Sequence, residues 1–527
     1  MRLTQYHLPL LILAFCAILM LGALNQTDVD KLNQLRKEAQ ELIKTQSLMY
    51  WDFQTKGSTL DLASTYKNHN ALFSKDTLNL IRKAMFEEIG DQRRALRYFE
   101  DYTASEICLR KAAELEDESS NFEASAQFLW EDKLVPYYEL RKMLGREPDY
   151  NRRQMIATAS LPVFHKLNTI LSKKNDLLMK TSKELGYQNL ADLSSRLRHF
   201  EPNDLKILCN QILDGTKELH KKYMRWAVPY QLNFPFEKTR LCDLPRLFYA
   251  PKFDDYFPKE KTIPAIRIFC AGLGINIDAQ PGLNMDIEDR DKKVPRAACF
   301  PITVPSDIRL SVRPQGGKND IEALFHEMGH AQHYLHSTTD VFEFQQLGDN
   351  VVTECYAFLF ESALEDPAFL EKHLGMKDPA LSSFLKIKAS LKLLMVRRYA
   401  ALVLYQLDSY SDAKNPKEIY KKNLTRGYGF QLTDQDVERY LADVDDFLYA
   451  ADYLRAWLIE AMLEETLNKH YGYPWWQSKE SGEYLKKLWS QGNRLLGDEL
   501  VKLLGYKNIS YDPLTAKLER NFKGNNN

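Results

Sequence analysis

Ile321-Glu-Ala-Leu-Phe-His-Glu-Met-Gly-His-Ala-Gln-His-Tyr334 carries two patterns at once. Ile321, Leu324, Phe325, Met328 and Leu335 follow the i, i+3, i+4, i+7 spacing of a helix with one buried face, and Asn319 or Asp320 stands where an N-cap is expected. On that helix His326 and His330 are four residues apart, about 40° around the axis at about 100° per residue, so both imidazoles reach one ion. Glu327 is turned far enough to touch a water on the ion. The HExxH spacing therefore predicts a helix-borne metal site, with His326 and His330 as ligands.

A catalytic zinc takes three protein ligands and keeps its fourth position for water. His336 would complete HExxHxxxxxH, but that arrangement needs a sharp turn, usually at a Gly three residues after the second histidine, and position 333 is His. An unbroken helix carries His336 about 80° away from the first ligand. His333 is nearer the correct face and reads as a supporting or surface residue. Glu354, in Gly348-Asp-Asn-Val-Val-Thr-Glu-Cys-Tyr-Ala-Phe-Leu-Phe-Glu361, is the better third ligand. Asp349 or Asn350 caps a new helix there, and Val351, Val352, Cys355, Phe358 and Leu359 surround the carboxylate. A carboxylate in such company is paired or metal-bound, because leaving it bare costs several kcal/mol. Glu361 shares the face at i+7 as the reserve ligand, and a salt bridge from Glu354 to an arginine is the bland alternative.

Outward from this segment the chain is helix-leaning. Gly (22) and Pro (21) are sparse in 527 residues, hydrophobic residues make up 44% and aromatics 12%. That composition excludes disordered, collagenous and β-solenoid classes. With 71 Lys+Arg against 72 Asp+Glu, nothing favours a nucleic-acid partner or an anionic membrane surface. Helical periodicity runs from Asp30 to about Leu241 with only short turn signals. Prolines cluster between Pro245 and Gly317, where Ile302-Thr-Val304 and Ile308-Arg-Leu-Ser-Val312 predict a small sheet. Helices resume to about Leu504. Seven scattered cysteines without a CxxC read as apolar thiols in a buried setting.

Leu8 to Leu24 is an apolar run behind Arg2 and His7, which predicts an export signal or an uncleaved membrane anchor. Phe15 beside Cys16 argues against lipidation of that thiol. The expected organisation is residues 1–25 as leader or anchor, 26–520 as one catalytic domain and 521–527 as a disordered tail, in an exported protein that is periplasmic, secreted or membrane-tethered.

Phe325-His-Glu-Met-Gly-His-Ala-Gln-His-Tyr334, with Glu354 following in Val-Val-Thr-Glu-Cys-Tyr-Ala, resembles the gluzincin peptidases of the angiotensin-converting enzyme, thimet oligopeptidase and oligopeptidase F group. Glu184-Leu-Gly-Tyr-Gln-Asn-Leu-Ala-Asp192 is similar to a helix-turn segment of those families. Arg296-Ala-Ala-Cys-Phe300 and Asp307-Ile-Arg-Leu310 look like the strands beside their cleft. The resemblance, over about residues 150–500, implies a mainly helical, two-lobed prolate fold with a deep channel that admits oligopeptides and excludes folded proteins. It also implies one Zn2+ on the channel floor and an oxyanion-stabilising tyrosine on a later helix. Leu448-Tyr-Ala-Ala-Asp-Tyr-Leu-Arg-Ala-Trp457 is the matching segment, with Tyr453 first and Tyr449 second in order.

Two departures mark a divergent member. No histidine precedes that tyrosine between Asp434 and Asp452, and Phe358 occupies the place of the acid that orients a zinc-bound histidine in the converting-enzyme branch. The implied activity is a metallopeptidase in which Glu327 is the general base, acting as an oligopeptidase or a peptidyl-dipeptidase. A non-catalytic helical peptide-binding or receptor protein on the same scaffold is the competing reading. Cations available to grip a substrate carboxylate include Arg290, Lys292, Lys293, Arg296, Arg309, Arg313 and Arg455.

Overall fold

The structure is a computed structural model, described here for residues 24–294, 297–411 and 414–524. It is mainly helical with a small sheet. The helices that bear on the site are α1 (Gln26–Lys56), α2 (Gly90–Ser125), α3 (Leu161–Glu184), α4 (Leu190–Leu197), α5 (Lys318–Leu335), α6 (Asn350–Glu361), α7 (Ala380–Ser409), α8 (Tyr449–Tyr471) and α9 (Asp512–Lys523). The leader reading falls almost wholly on residues 1–23, outside the described residues. Among the described residues no helix is long and apolar enough to cross a membrane. Helix α1 starts at an Asn25–Asp28 capping box and stops at Gly57, whose φ of 66° is the left-handed conformation glycine adopts without strain.

The sheet lies inside the predicted Pro-rich region. Strand β3 (Leu283–Asp286) runs parallel to β5 (Asp307–Ser311), which pairs antiparallel with β4 (Ala298–Thr303). The order β3-β5-β4 leaves β4 at an edge, beside α1, where Phe300 meets Trp51 at 5.6 Å between ring centroids. Buried Ile308 and Leu310 anchor β5 in the core.

Three expectations require correction. The first half is not purely helical: β1 (Gln127–Trp130) and β2 (Lys133–Pro136) form a hairpin between α2 and α3. Its two-residue turn puts Glu131 and Asp132 at positive φ, 48° and 59°, a conformation usually signalled by Asn-Gly or Asp-Gly. Helix α5 begins with Gly317 as its N-cap, two or three residues ahead of the expected Asn319 or Asp320. The Asp320 carboxylate instead accepts the N–H groups of Gln315 and Gly316, the latter at 2.8 Å. The predicted tail 521–527 is also too long. Helix α9 runs to Lys523, and buried Phe522 stacks on Tyr223 with ring centroids 3.9 Å apart. Residues 525–527 lie outside the described residues.

Helix α6 decides the site's burial. Every residue from Val351 to Phe360 is buried, as expected of a helix that is apolar on all sides, and Glu354 goes into the core with them. Helix α5 lies so close against α6 that a Cβ built on Gly329 would stand 2.6 Å from both Ala357 Cα and Tyr356 O. Both obstacles are backbone, so the helices must separate to admit a methyl group. Gly329→Ala is expected to destabilise the fold by about 3 kcal/mol, read as a lowered denaturation midpoint. An unchanged midpoint would show that the helix contact yields freely.

The cysteines are unpaired among the described residues. Cys108, Cys209, Cys242, Cys270 and Cys355 are buried, and Cys299 on β4 is half-buried.

Candidate metal centre

Helix α5 presents His326 and His330 on one face, their rings 4.9 Å apart at 83° to each other. Helix α6 crosses in front and delivers Glu354. Glu354 Oε2 stands 3.4 Å from His326 Nε2 and 3.8 Å from His330 Nε2. Donors on a tetrahedral zinc at about 2.0–2.1 Å are roughly 3.4 Å apart; the first of these distances equals that spacing, the second exceeds it, and the three ligand atoms all lie within 4.8 Å of one another. Among the described residues this is the one group of His, Cys, Asp or Glu donors converging this way.

The unused bonding capacity points the same way. Glu354 is 5% exposed, and its Oε2 has no hydrogen-bond partner. Its other oxygen, Oε1, accepts the Tyr449 hydroxyl at 2.9 Å. Each imidazole is held at the opposite nitrogen: His330 Nδ1 lies 2.8 Å from Thr353 Oγ1, and His326 Nδ1 lies 3.5 Å from Glu361 Oε2. With Nδ1 given to those partners, both Nε2 atoms face Glu354 Oε2, and a bound cation would take the place of the proton that His326 holds there. A buried carboxylate oxygen with no hydrogen-bond partner, set between two imidazole Nε2 atoms, fits a divalent cation, and the N,N,O donor set suits zinc.

The charges follow from this crowding. Burial opposes protonation of His326, but the Glu354, Glu361 and Glu327 carboxylates outweigh it and hold the imidazole up at about 10. Burial dominates at His330 and pushes it down to about 3. Burial also works against the Glu354 anion, yet the two imidazoles and the Tyr449 hydroxyl bring its carboxyl below the usual range. Two acids thus compete for one imidazolium where a dication would serve both.

Glu327, on the same helix, reaches toward the sheet. Its Oε2 accepts the backbone N–H of Cys299 at 2.9 Å, from the edge of β4 that faces away from β5. Tyr449 and Tyr453 both line the site from α8, their rings 4.9 Å apart. Tyr449, the second choice from sequence, places its hydroxyl 2.9 Å from Glu354 Oε1. Tyr453 packs against Phe358 at 6.1 Å and Tyr399 at 5.7 Å. His336 caps the end of α5, its Nδ1 2.9 Å from Gln332 O, outside the donor set. His333 is not on the surface: it is fully buried, 5.0 Å from the Tyr356 ring and outside the converging donors.

Several contributors were not legible as such. Glu361 was a reserve ligand from sequence, but it serves His326 through Nδ1, which supplies the carboxylate that Phe358 does not. Thr353 immediately precedes Glu354 and gave no signal of its own. Arg198, just past the end of α4, lies 4.7 Å above the Tyr449 ring while pairing with Asp452 at 3.0 Å. Thr353→Val keeps the volume and removes the Nδ1 partner of His330. It is expected to weaken zinc binding about tenfold in a chelator competition, and unchanged affinity would make that hydrogen bond incidental.

No family model matches the chain, and no curated protein matches it.

Proposed function

We propose that the chain is a zinc-dependent peptidase of the gluzincin kind, hydrolysing short unstructured peptides in the channel of a two-lobed helical fold. The observation that carries this reading is the unpartnered Glu354 Oε2 facing His326 Nε2 and His330 Nε2 at 3.4 and 3.8 Å, with Glu327 one residue along the same helix. His326, His330 and Glu354 would hold the ion. When bound there, zinc supplies Lewis-acid polarisation of a peptide carbonyl and brings the pKa of a water toward about 7.

The chain's own groups account for the remaining roles. The Glu327 carboxylate, aimed by the Cys299 N–H, accepts the proton of the attacking water and returns it to the leaving amine. Tyr453 is the O–H donor for the oxyanion of the tetrahedral stage, a contact worth about 3 kcal/mol, while the Tyr449 hydroxyl beside it is given to Glu354 Oε1 at 2.9 Å. Burial raises the Tyr449 phenol well above its ordinary range, so it stays a donor at neutral pH. The edge of β4 borders the cleft, but its Cys299 N–H is already given to Glu327. A peptide lying along this strand meets an edge with one donor spent.

Purified full-length protein tests the reading by metal analysis before and after chelation, together with a quenched-fluorescence assay on a peptide library. About one zinc per chain and chelator-sensitive hydrolysis are expected. Absence of both would end the proposal.

A further inference from the structure

Most cations that could grip a substrate carboxylate are already occupied: Arg290, Lys293, Arg309, Arg313 and Arg455 each sit against an aspartate. Lys392, on α7, is different. Its Nζ lies 5.1 Å from the Phe358 ring centroid and 5.0 Å from that of Trp457, and it forms no ion pair or hydrogen bond among the described residues. The acids whose fields reach it have closer partners. Glu361 Oε2 stands 3.5 Å from His326 Nδ1, and the Lys517 ammonium lies 3.3 Å from Glu365 and 3.2 Å from Glu460.

The aromatic faces that cradle this ammonium belong to the site. Phe358 packs on His326 with ring centroids 4.9 Å apart, and Trp457 lies 5.1 Å from Tyr399 and 6.4 Å from Tyr453. Lys392 is therefore one aromatic ring away from a metal donor, and it is half-buried. Contact with a ring face satisfies a cation electrostatically but uses none of its three N–H donors in a hydrogen bond. A carboxylate is the complement: it accepts those donors, and the partly desolvated setting strengthens the charge-assisted bond.

We propose that Lys392 is the specificity-determining cation of this site, receiving a carboxylate of the bound peptide close to the scissile bond. This rests on the peptidase reading for the kind of ligand. The carboxylate is either the free C-terminus of a short peptide or an aspartate or glutamate side chain, and the substrate class is peptides that carry one.

Binding to the full-length Glu327→Gln protein tests this without turnover. Three versions of one zinc-ligated pentapeptide are compared by calorimetry: the free acid, its C-terminal amide, and the amide with an Asp near its end. The free acid, or the Asp-bearing amide, should bind at least about tenfold tighter than the plain amide. Which of the two does so identifies the source of the carboxylate. In Lys392→Met, which keeps the apolar stem, all three should bind alike while zinc content stays that of the parent. Lys392→Arg should keep most of the preference. Equal binding of the three peptides to the parent, no binding of any, or a preference that survives in Lys392→Met overturns the proposal. A preference that depends on Lys392 in a protein whose parent cleaves no peptide would uphold the carboxylate site and remove the hydrolase reading instead.

Discussion

Glu354→Gln is expected to lower zinc affinity by more than about 100-fold and to bring peptide hydrolysis to background. Loss of a residue that merely supports a ligand costs 10–100-fold, and a direct donor exceeds that. The local geometry makes the amide a poor substitute. Tyr449 donates to Oε1 at 2.9 Å, which fixes the amide oxygen there and turns the NH2 toward His326 and His330. A donor then stands where a lone pair is needed. Competition with a chromophoric chelator measures the effect. Affinity within tenfold of the parent would remove Glu354 from the site, and Glu361 could not replace it while serving His326 Nδ1 at 3.5 Å.

Glu327→Gln separates chemistry from metal binding. Its amide oxygen can still accept the Cys299 N–H that Oε2 now takes at 2.9 Å, so the tie between β4 and α5 is kept. Zinc content should equal that of the parent, because residue 327 is outside the donor set. Hydrolysis should fall about 10²–10⁴-fold, since an amide cannot accept the proton of the attacking water. Retained turnover with bound zinc would mean that another group is the base.

The two substitutions also divide the site by how legible it was. His326, Glu327 and His330 lie within five residues of one helix, and the 3.6-residue turn alone puts both imidazoles on one face. Glu354 was legible for another reason: a carboxylate inside an otherwise apolar helix needs a partner. Glu361 shows the limit of that argument. Its position at i+7 placed it correctly on the inward face, yet spacing could not say whether it would meet Nε2 or Nδ1 of His326. The tyrosines show the same limit, because Tyr449 and Tyr453 share a face of α8 and only the approach of α6 brings the Tyr449 hydroxyl to Glu354. Phe522 carries no helical signal in a short polar ending, and its burial depends on Tyr223 from 299 positions earlier.

The sequence by itself determined the helical class, the Pro-rich sheet region and the paired imidazoles, since all three depend on contacts a few residues apart. The tertiary structure decided what crosses those helices: the close seating of α6 on Gly329, the hydrogen bonds at each Nδ1, and the ammonium of Lys392 left over once its neighbours had paired. Those outcomes depend on distances between segments far apart in the chain, which helical periodicity does not encode.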